Sequence, residues 1–118
     1  MKSKKNIFLV IGILLISISI SAQKSKYQKE NFKVFGNCEM CKATIEKAVK
    51  AVDGVKTARW NVVNGKMKIK FNPEKTNLDQ IHKAIIHVGY DTELYNASDE
   101  SYNKLHYCCK YERPTEKE

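Results

Sequence analysis

The spacing of apolar residues changes several times along the chain, and each spacing predicts one structural element. Phe32 and Val34 alternate with a lysine, which is typical of a short strand. From 39 to 52 the apolar positions follow helical i, i+3, i+4, i+7 spacing, and they comprise Ile45, Ala48, Val49 and Val52. Asp53-Gly54 then predicts the end of this helix and a change of chain direction.

The second half of the chain repeats these two spacings. Residues 55–63 predict a second strand, Asn64-Gly65 a tight hairpin turn, and residues 66–71 a third strand. A second helical stripe ends at Gly89 and comprises Leu78, Ile81, Ile85 and Val88. Residues 90–95 predict a fourth strand. The order βαββαβ over 31–97 predicts an α+β, ferredoxin-like sandwich, with two helices on one face of a four-stranded antiparallel sheet.

The N-terminal segment has the layout of a secretory signal peptide. A basic start is followed by an apolar run over 7–20 and by the small residues Ser21-Ala22. The run is shorter than the roughly 20 residues that span a membrane, so cleavage after Ala22 is expected rather than a permanent anchor. The chain is therefore expected to be periplasmic or otherwise exported. Its segments are a signal peptide (1–22), a flexible lead (23–30), the domain (31–97) and a C-terminal tail (98–118).

The charge of the chain is positive and partly concentrated on one predicted surface. The formal net charge is +8, and it falls to +5 (8 − 3) when the three lysines of the signal peptide are removed. The predicted outer face of the sheet carries Lys33, Arg59, Lys66, Lys68 and Lys70. Such a row is either a solvated face or a docking face for an acidic partner. Nucleic acid is not an expected partner of an exported protein.

The motif with the clearest chemistry is Cys38-x-x-Cys41, at the predicted junction of the first strand and first helix. Thiolates are soft ligands that suit Cu(I), and a helix N-terminus favours the thiolate form. Zn(II) suits two thiols less well because it prefers four ligands. A reversible disulfide between the two cysteines, without any metal role, is the alternative. Catalytic triads, paired catalytic carboxylates and phosphate-binding glycine loops are not apparent, and a non-enzymatic protein is predicted.

The tail brings further candidate ligands in His106-Tyr107-Cys108-Cys109. A short helix after Ser98 is predicted to lead the chain out of the domain. If the tail doubles back, His106, Cys108 and Cys109 can reach the Cys38-x-x-Cys41 loop. The alternatives are a disulfide to the loop or an independent thiol site. His82 and His87, on the second helix, are predicted to be surface residues without a metal role.

Several short segments share the layout of one known family. They are the Cys38-x-x-Cys41 loop, Val55-x-x-Ala58-x-Trp60-Asn61-Val62, Phe71-Asn72-Pro73, and Ile81-x-x-Ala84-Ile85 leading to Gly89-Tyr90-Asp91. As a set they resemble the heavy-metal-associated domain family of small copper chaperones and periplasmic mercury-binding proteins. The usual family loop reads Gly-Met-x-Cys-x-x-Cys, with the Met packed under the loop. Here Gly36 stands at the Met position and Phe35 at the Gly position.

Together with the predicted signal peptide, the resemblance implies an extracytoplasmic soft-metal-binding protein. Cys38 and Cys41 are the expected primary ligands, and Tyr90 is expected to shield the loop. Cu(I) is the expected ion, with Hg(II) or Zn(II) as alternatives. The ion is expected to pass to a transporter or other acceptor with an acidic docking face, and two chains can share one ion in a metal-bridged dimer. The alternatives are a thiol-disulfide redox protein and a metal-sensing interaction module.

Overall fold

The computed structural model describes residues 26–114. The predicted signal peptide (1–22) lies outside these residues. The elements, in chain order, are β1 (Gln28–Lys33), α1 (Glu39–Lys50), β2 (Val55–Trp60), β3 (Lys66–Phe71), α2 (Leu78–His87), α3 (Asp99–Asn103) and a 3-10 turn (Tyr107–Cys109). Among the described residues, no helix is both long enough and apolar enough to cross a membrane.

The three strands form one antiparallel sheet in the order β1-β3-β2. Phe32 lies opposite Met67, which in turn lies opposite Trp60, and all three side chains are buried. They face the helices, whose buried stripes include Ile45 and Ile81. Because strand side chains alternate between faces, the lysines of β3 point to the opposite side of the sheet. The predicted α+β fold class is confirmed.

The predicted fourth strand does not form among the described residues. In this segment only Thr92 forms a β-bridge: it pairs in an isolated antiparallel bridge with Val34, the residue that follows β1. The Thr92 Oγ1 accepts hydrogen bonds from the backbone N–H groups of Leu94 and Tyr95, and the Asp91 Oδ1 accepts one from Ala97. These local bonds use the backbone donors that a longer ladder would need. The chain therefore turns on itself after a single bridge.

Two strand boundaries also differ from the predictions. β1 begins at Gln28, inside the segment 23–30 that was expected to be a flexible lead. β2 ends at Trp60 rather than at Val63. The Asn61 Oδ1 accepts hydrogen bonds from the N–H groups of Val63 and Asn64, so the turn starts earlier than the apolar pattern indicates.

The prediction that His82 is a surface residue is wrong. Its side chain is buried, and its Nδ1 lies 2.7 Å from the Thr92 Oγ1. The ring also packs on Phe32, with the ring centroids 4.1 Å apart. His82 therefore connects α2 to the bridge at Thr92 as part of the core, whereas His87 is exposed as predicted.

Candidate metal centre

The loop between β1 and α1 brings the first two cysteines together. Cys38 is the N-cap of α1 in an extended backbone conformation, and Cys41 lies in the first helical turn. Their Sγ atoms are 3.3 Å apart and are not bonded as a disulfide. Cys38 is half-buried and Cys41 is buried, where its thiol donates a hydrogen bond to the Asn37 Oδ1. One sulfur is therefore accessible at the rim and the other lies beneath it.

The tail doubles back and places a third sulfur at the loop. Ser98 caps α3 through a hydrogen bond from the Ser101 N–H, as the sequence predicted. Gly89, with a φ of 100°, lets α3 pass close by, because a Cβ there would lie 2.8 Å from the Ser101 carbonyl oxygen. The 3-10 turn then carries the Cys109 Sγ to 4.0 Å from the Cys38 Sγ. The sulfurs of Cys38, Cys41 and Cys109 all lie within 4.8 Å of one another.

Two tail side chains, Tyr111 and Arg113, anchor the tail to the residues that follow α2. The Tyr111 hydroxyl donates to the Gly89 carbonyl and accepts from the Asp91 N–H. Arg113 binds the fully buried Asp91 carboxylate through its Nε and Nη2, each at 2.9 Å. It also bonds the Ala97 carbonyl. This bidentate geometry makes the anchor directional as well as electrostatic.

Replacing Arg113 with Ala tests this anchor. The substitution leaves a buried carboxylate without its cation, and we expect the free energy of unfolding to fall by about 2–3 kcal/mol. Urea unfolding of the variant measures this loss. Lys110→Ala, an exposed neighbour, is the matched control. An Arg113→Ala variant as stable as this control would contradict the anchoring role.

The same pair determines how the stability of the fold responds to acid. Burial alone raises the pKa of Asp91, but Arg113 and the Ala97 N–H outweigh it, and the pKa of this carboxyl is lowered. The ionised carboxylate therefore stabilises the fold above its ordinary pKa, near 3.9. This contribution is lost as the pH falls through the lowered value. Arg113→Ala should weaken that acid dependence.

Cys38 and Cys109 differ in their electrostatic surroundings. The Cys41 backbone N–H, at the start of α1, lowers the pKa of the Cys38 thiol, and the Met40 N–H adds to the effect. Burial, together with the Cys108 side chain, raises the pKa of Cys109 to about 12. The centre thus combines one rim sulfur that ionises readily with a buried thiol that holds its proton.

Tyr90 covers the inner side of the cluster, as predicted. It is fully buried and stacks on Tyr111, with the ring centroids 5.6 Å apart. Burial raises the pKa of Tyr90, and the adjacent Cys41 thiol raises it further. Its hydroxyl has no hydrogen-bond partner of standard geometry within the described part of the chain. A buried donor is therefore available beside the sulfurs.

Gly36, which replaces the usual family Met, has a packing reason in this structure. A Cβ at Gly36 would lie 2.9 Å from Cη2 and 3.1 Å from Cζ2 of Trp60. The indole is fully buried under the loop, and its Nε1 donates to the Val34 and Gly65 carbonyls. Trp60 therefore occupies the space in which a Met side chain would pack.

The remaining predicted residues lie just outside the three-sulfur cluster. Cys108 is exposed, and its Sγ is 3.2 Å from the His106 Nδ1 and 3.8 Å from the Met40 Sδ. Sequence reasoning missed the anchor formed by Tyr111 and Arg113. The sequence around Arg113 does not indicate that this arginine pairs with Asp91, because the pairing depends on how the tail folds back.

Comparisons with known proteins identify relatives of the domain that carries the loop. The family model described as "Heavy-metal-associated domain" matches residues 32–91, just over half of the chain. The copper chaperone CopZ of Staphylococcus saprophyticus subsp. saprophyticus is 35% identical over 65 residues, which cover 54% of this chain and 96% of that protein. These matches confirm the predicted resemblance, and the similarity to metallochaperones confirms the prediction of a non-enzymatic protein.

Two solved structures share the fold. A CopZ metallochaperone is 33% identical with a TM-score of 0.54, covering 55% of this chain and 98% of its own. The N-terminal domain of a potential copper-translocating P-type ATPase from Bacillus subtilis, in its Cu(I)-loaded state, is 26% identical with a TM-score of 0.55. That alignment covers 62% of this chain and 92% of the other. The family match spans only residues 32–91, so the tail that carries Cys109 lies outside it.

Proposed function

Since the chain belongs to the heavy-metal-associated domain family, we propose that it is an exported protein that captures Cu(I) and transfers it to a metal-accepting partner. Cys38, Cys41 and Cys109 are the proposed ligands. The observation that carries this proposal is the cluster of their three sulfurs within 4.8 Å. Two of these sulfurs come from the family loop, and the third comes from the tail of this chain.

The separation of the Cys38 and Cys109 sulfurs suits three-coordinate Cu(I). With metal–sulfur bonds of about 2.3 Å, sulfurs around a planar three-coordinate ion are about 4.0 Å apart. Cys38 to Cys109 has this separation, whereas Cys38 to Cys41 is 3.3 Å. A linear two-coordinate ion would need its two sulfurs about 4.6 Å apart at the same bond length, so the loop pair alone would have to open.

Neighbouring groups also favour a soft, low-coordinate ion. The buried Tyr90 hydroxyl can donate to a metal-bound thiolate, which would satisfy a polar group for which residues 26–114 supply no partner of standard geometry. Zn(II) prefers a fourth ligand, which the three sulfurs do not supply. Hg(II) is equally soft and remains the alternative cargo. Competition between Cu(I), Hg(II) and Zn(II) for the same chain separates these ions.

The half-buried Cys38 suits transfer by ligand exchange. Its sulfur is the accessible one of the loop pair, and its lowered pKa favours the thiolate that binds metal. A partner thiolate can bond to the ion before the Cys38 bond breaks, so no bare ion is released. A thiol-disulfide redox function is the second candidate, because the loop sulfurs are 3.3 Å apart. Insulin reduction by the chain would support this candidate.

The sheet face opposite the helices is the proposed docking face for the partner. It carries Lys29, Lys33, Arg59, Lys66, Lys68 and Lys70, which meet across the strands in the observed register. Within residues 26–114, none of these cations forms an ion pair with a carboxylate. Like charges on adjacent strands leave a positive field that attracts an acidic surface.

Charge reversal on this face tests both docking and transfer. We expect the wild-type chain to pass Cu(I) to a heavy-metal-associated domain with an acidic face. Lys66→Glu/Lys68→Glu should slow the transfer about tenfold or more at low salt, with less effect at high salt. Stopped-flow transfer kinetics measure this change. Lys47→Glu/Lys75→Glu, which makes the same charge change at exposed sites elsewhere, is the control.

The possible results separate two parts of the proposal. Equal transfer rates for both charge-reversed variants would reject the docking face and leave the transfer function intact. Absence of any transfer from the loaded wild-type chain would reject the transfer function. Protein for these measurements is recovered after expression of the full chain. Its N-terminal sequence then tests export, since cleavage after Ala22 leaves Gln23 first.

The position of Cys109 affects whether two chains share one ion in a metal-bridged dimer. When two chains share one Cu(I), thiols of the second chain complete the coordination. Here Cys109 of the same chain lies at the cluster already. We therefore expect the Cu(I)-loaded chain to be a monomer, which native mass spectrometry of the loaded protein measures directly.

A further inference from the structure

A second group of soft ligands lies beside the three-sulfur cluster and faces the solvent. The Cys108 Sγ is 3.2 Å from the His106 Nδ1 and 3.8 Å from the Met40 Sδ. Cys108 and His106 are exposed, and Met40 is 50% exposed. A thiol, an imidazole and a thioether are ligand types that Cu(I) and other soft ions accept. The distances from the Cys108 Sγ to the other two ligand atoms are both below the separation of about 4.0 Å expected between ligands of a three-coordinate ion.

The local backbone explains why adjacent cysteines face opposite directions. In a 3-10 turn successive side chains are about 120° apart, since three residues complete one turn. Cys109 consequently points into the core while Cys108 points outward. His106 caps this turn by accepting the Cys109 N–H at its carbonyl. Met40 comes from the first turn of α1, next to the buried Cys41.

The two ligand groups adjoin through the tail cysteines. The Cys108 Sγ is 3.9 Å from the Cys109 Sγ, and the Cys38 Sγ is 3.8 Å from the Cys108 carbonyl oxygen. An ion held by Cys108 therefore lies within one ligand exchange of the inner sulfurs. A bond to Cys109 can form before the bond to Cys108 breaks, with the copper remaining Cu(I). Cys109 releases its thiol proton as it binds, and Cys108 takes up a proton as the ion departs.

We propose that Cys108, His106 and Met40 form an outer Cu(I) site that receives the ion from solvent and passes it to Cys38, Cys41 and Cys109. This inference rests on the proposed Cu(I) function and adds a second site with its own residues. The chain then binds two Cu(I) ions when saturated. The outer ion is the weaker one, because its ligands are exposed and include only one thiol.

Anaerobic titration of the full reduced chain with Cu(I) tests the outer site. Native mass spectrometry counts the ions, and a chromophoric Cu(I) chelator measures both affinities. We expect two ions in the wild type and one ion in Cys108→Ser, with the affinity of the first ion unchanged. Met40→Leu removes the sulfur at similar volume. It should lower the affinity for the second ion by about tenfold or more, because losing even a group that only supports a metal ligand costs about tenfold.

The matched control is Lys110→Ala, which should retain both ions. A wild-type chain that holds one ion, and loads it as fast as Cys108→Ser, would overturn the outer site while supporting the inner one. A wild-type chain that holds no ion would overturn the proposed function itself. Loss of the first ion in Cys108→Ser would also overturn the assignment, because Cys108 would then belong to the inner site.

Discussion

A chain with Cys38→Ser and Cys41→Ser will bind Cu(I) at the three-sulfur cluster about 10⁴-fold more weakly than the wild type. Four-ligand structural zinc sites gain about 10–16 kcal/mol from metal binding, or about 3 kcal/mol per ligand. If thiolates contribute similarly here, removing two of them costs about 6 kcal/mol, which is on the order of 10⁴-fold in affinity. Cys109 alone then remains of the three sulfurs. Competition with a chromophoric Cu(I) chelator measures the loss.

Single substitutions give this prediction its internal controls. Cys109→Ser should weaken Cu(I) binding about 100-fold, since one of three proposed ligands is lost. Cys108→Ser should leave the affinity for the first ion unchanged, because its sulfur is exposed outside the cluster. Equal affinities for the wild type and the Cys38→Ser/Cys41→Ser chain would reject the loop as the binding site. Thermal unfolding of every variant verifies that the fold persists.

Placing the usual family Met at position 36 will destabilise this chain unless Trp60 is replaced by a smaller residue at the same time. Gly36→Met places a side chain where the indole lies within 2.9 Å of the Cβ position, and overpacking of this kind costs about 1–3 kcal/mol. Trp60→Leu removes a fully buried indole and should cost about 3 kcal/mol. In the double variant, the Met can occupy the space that the indole leaves.

A double-mutant cycle measures this compensation. We expect the stability loss of the double variant to be smaller than the sum of the two single losses, by about 1 kcal/mol or more. Urea unfolding of the four proteins provides the free energies. Val63→Ala, at a side chain that is 95% exposed, is the control and should change stability by less than about 0.5 kcal/mol. Strict additivity would mean that Trp60 does not substitute for the family Met.

The sequence predicted most of the fold because its elements follow local rules. Ile45, Ala48 and Val49 of the first stripe and the alternation over 66–71 each belong to an element that the structure contains, whereas the hairpin predicted at Asn64-Gly65 closes through a longer turn that starts at Asn61. The fourth strand was the principal error. Tyr90, Thr92 and Tyr95 are residue types that strands favour, but the side chains of Asp91 and Thr92 bond to nearby N–H groups instead. Such competition between side chain and backbone is invisible in an apolar pattern.

The sequence by itself determined the fold class and the pairing of Cys38 with Cys41. Both depend on short-range spacing: helical periodicity defines α1, and a three-residue separation at a helix start brings two thiols together. The chemistry of a soft-ligand loop follows from the same few residues. The family layout extends this reasoning beyond the loop, and the match over residues 32–91 confirms the resemblance to the family.

Only the tertiary structure decided which tail cysteine joins the loop. Adjacent residues share one sequence signal, yet Cys109 is buried beside Cys38 while Cys108 faces solvent with Met40. The difference depends on the path of the tail, which Arg113 fixes by binding Asp91 across 22 residues. A contact of this separation forms only once the domain has folded, because it joins a buried carboxylate to a cation brought back by the tail.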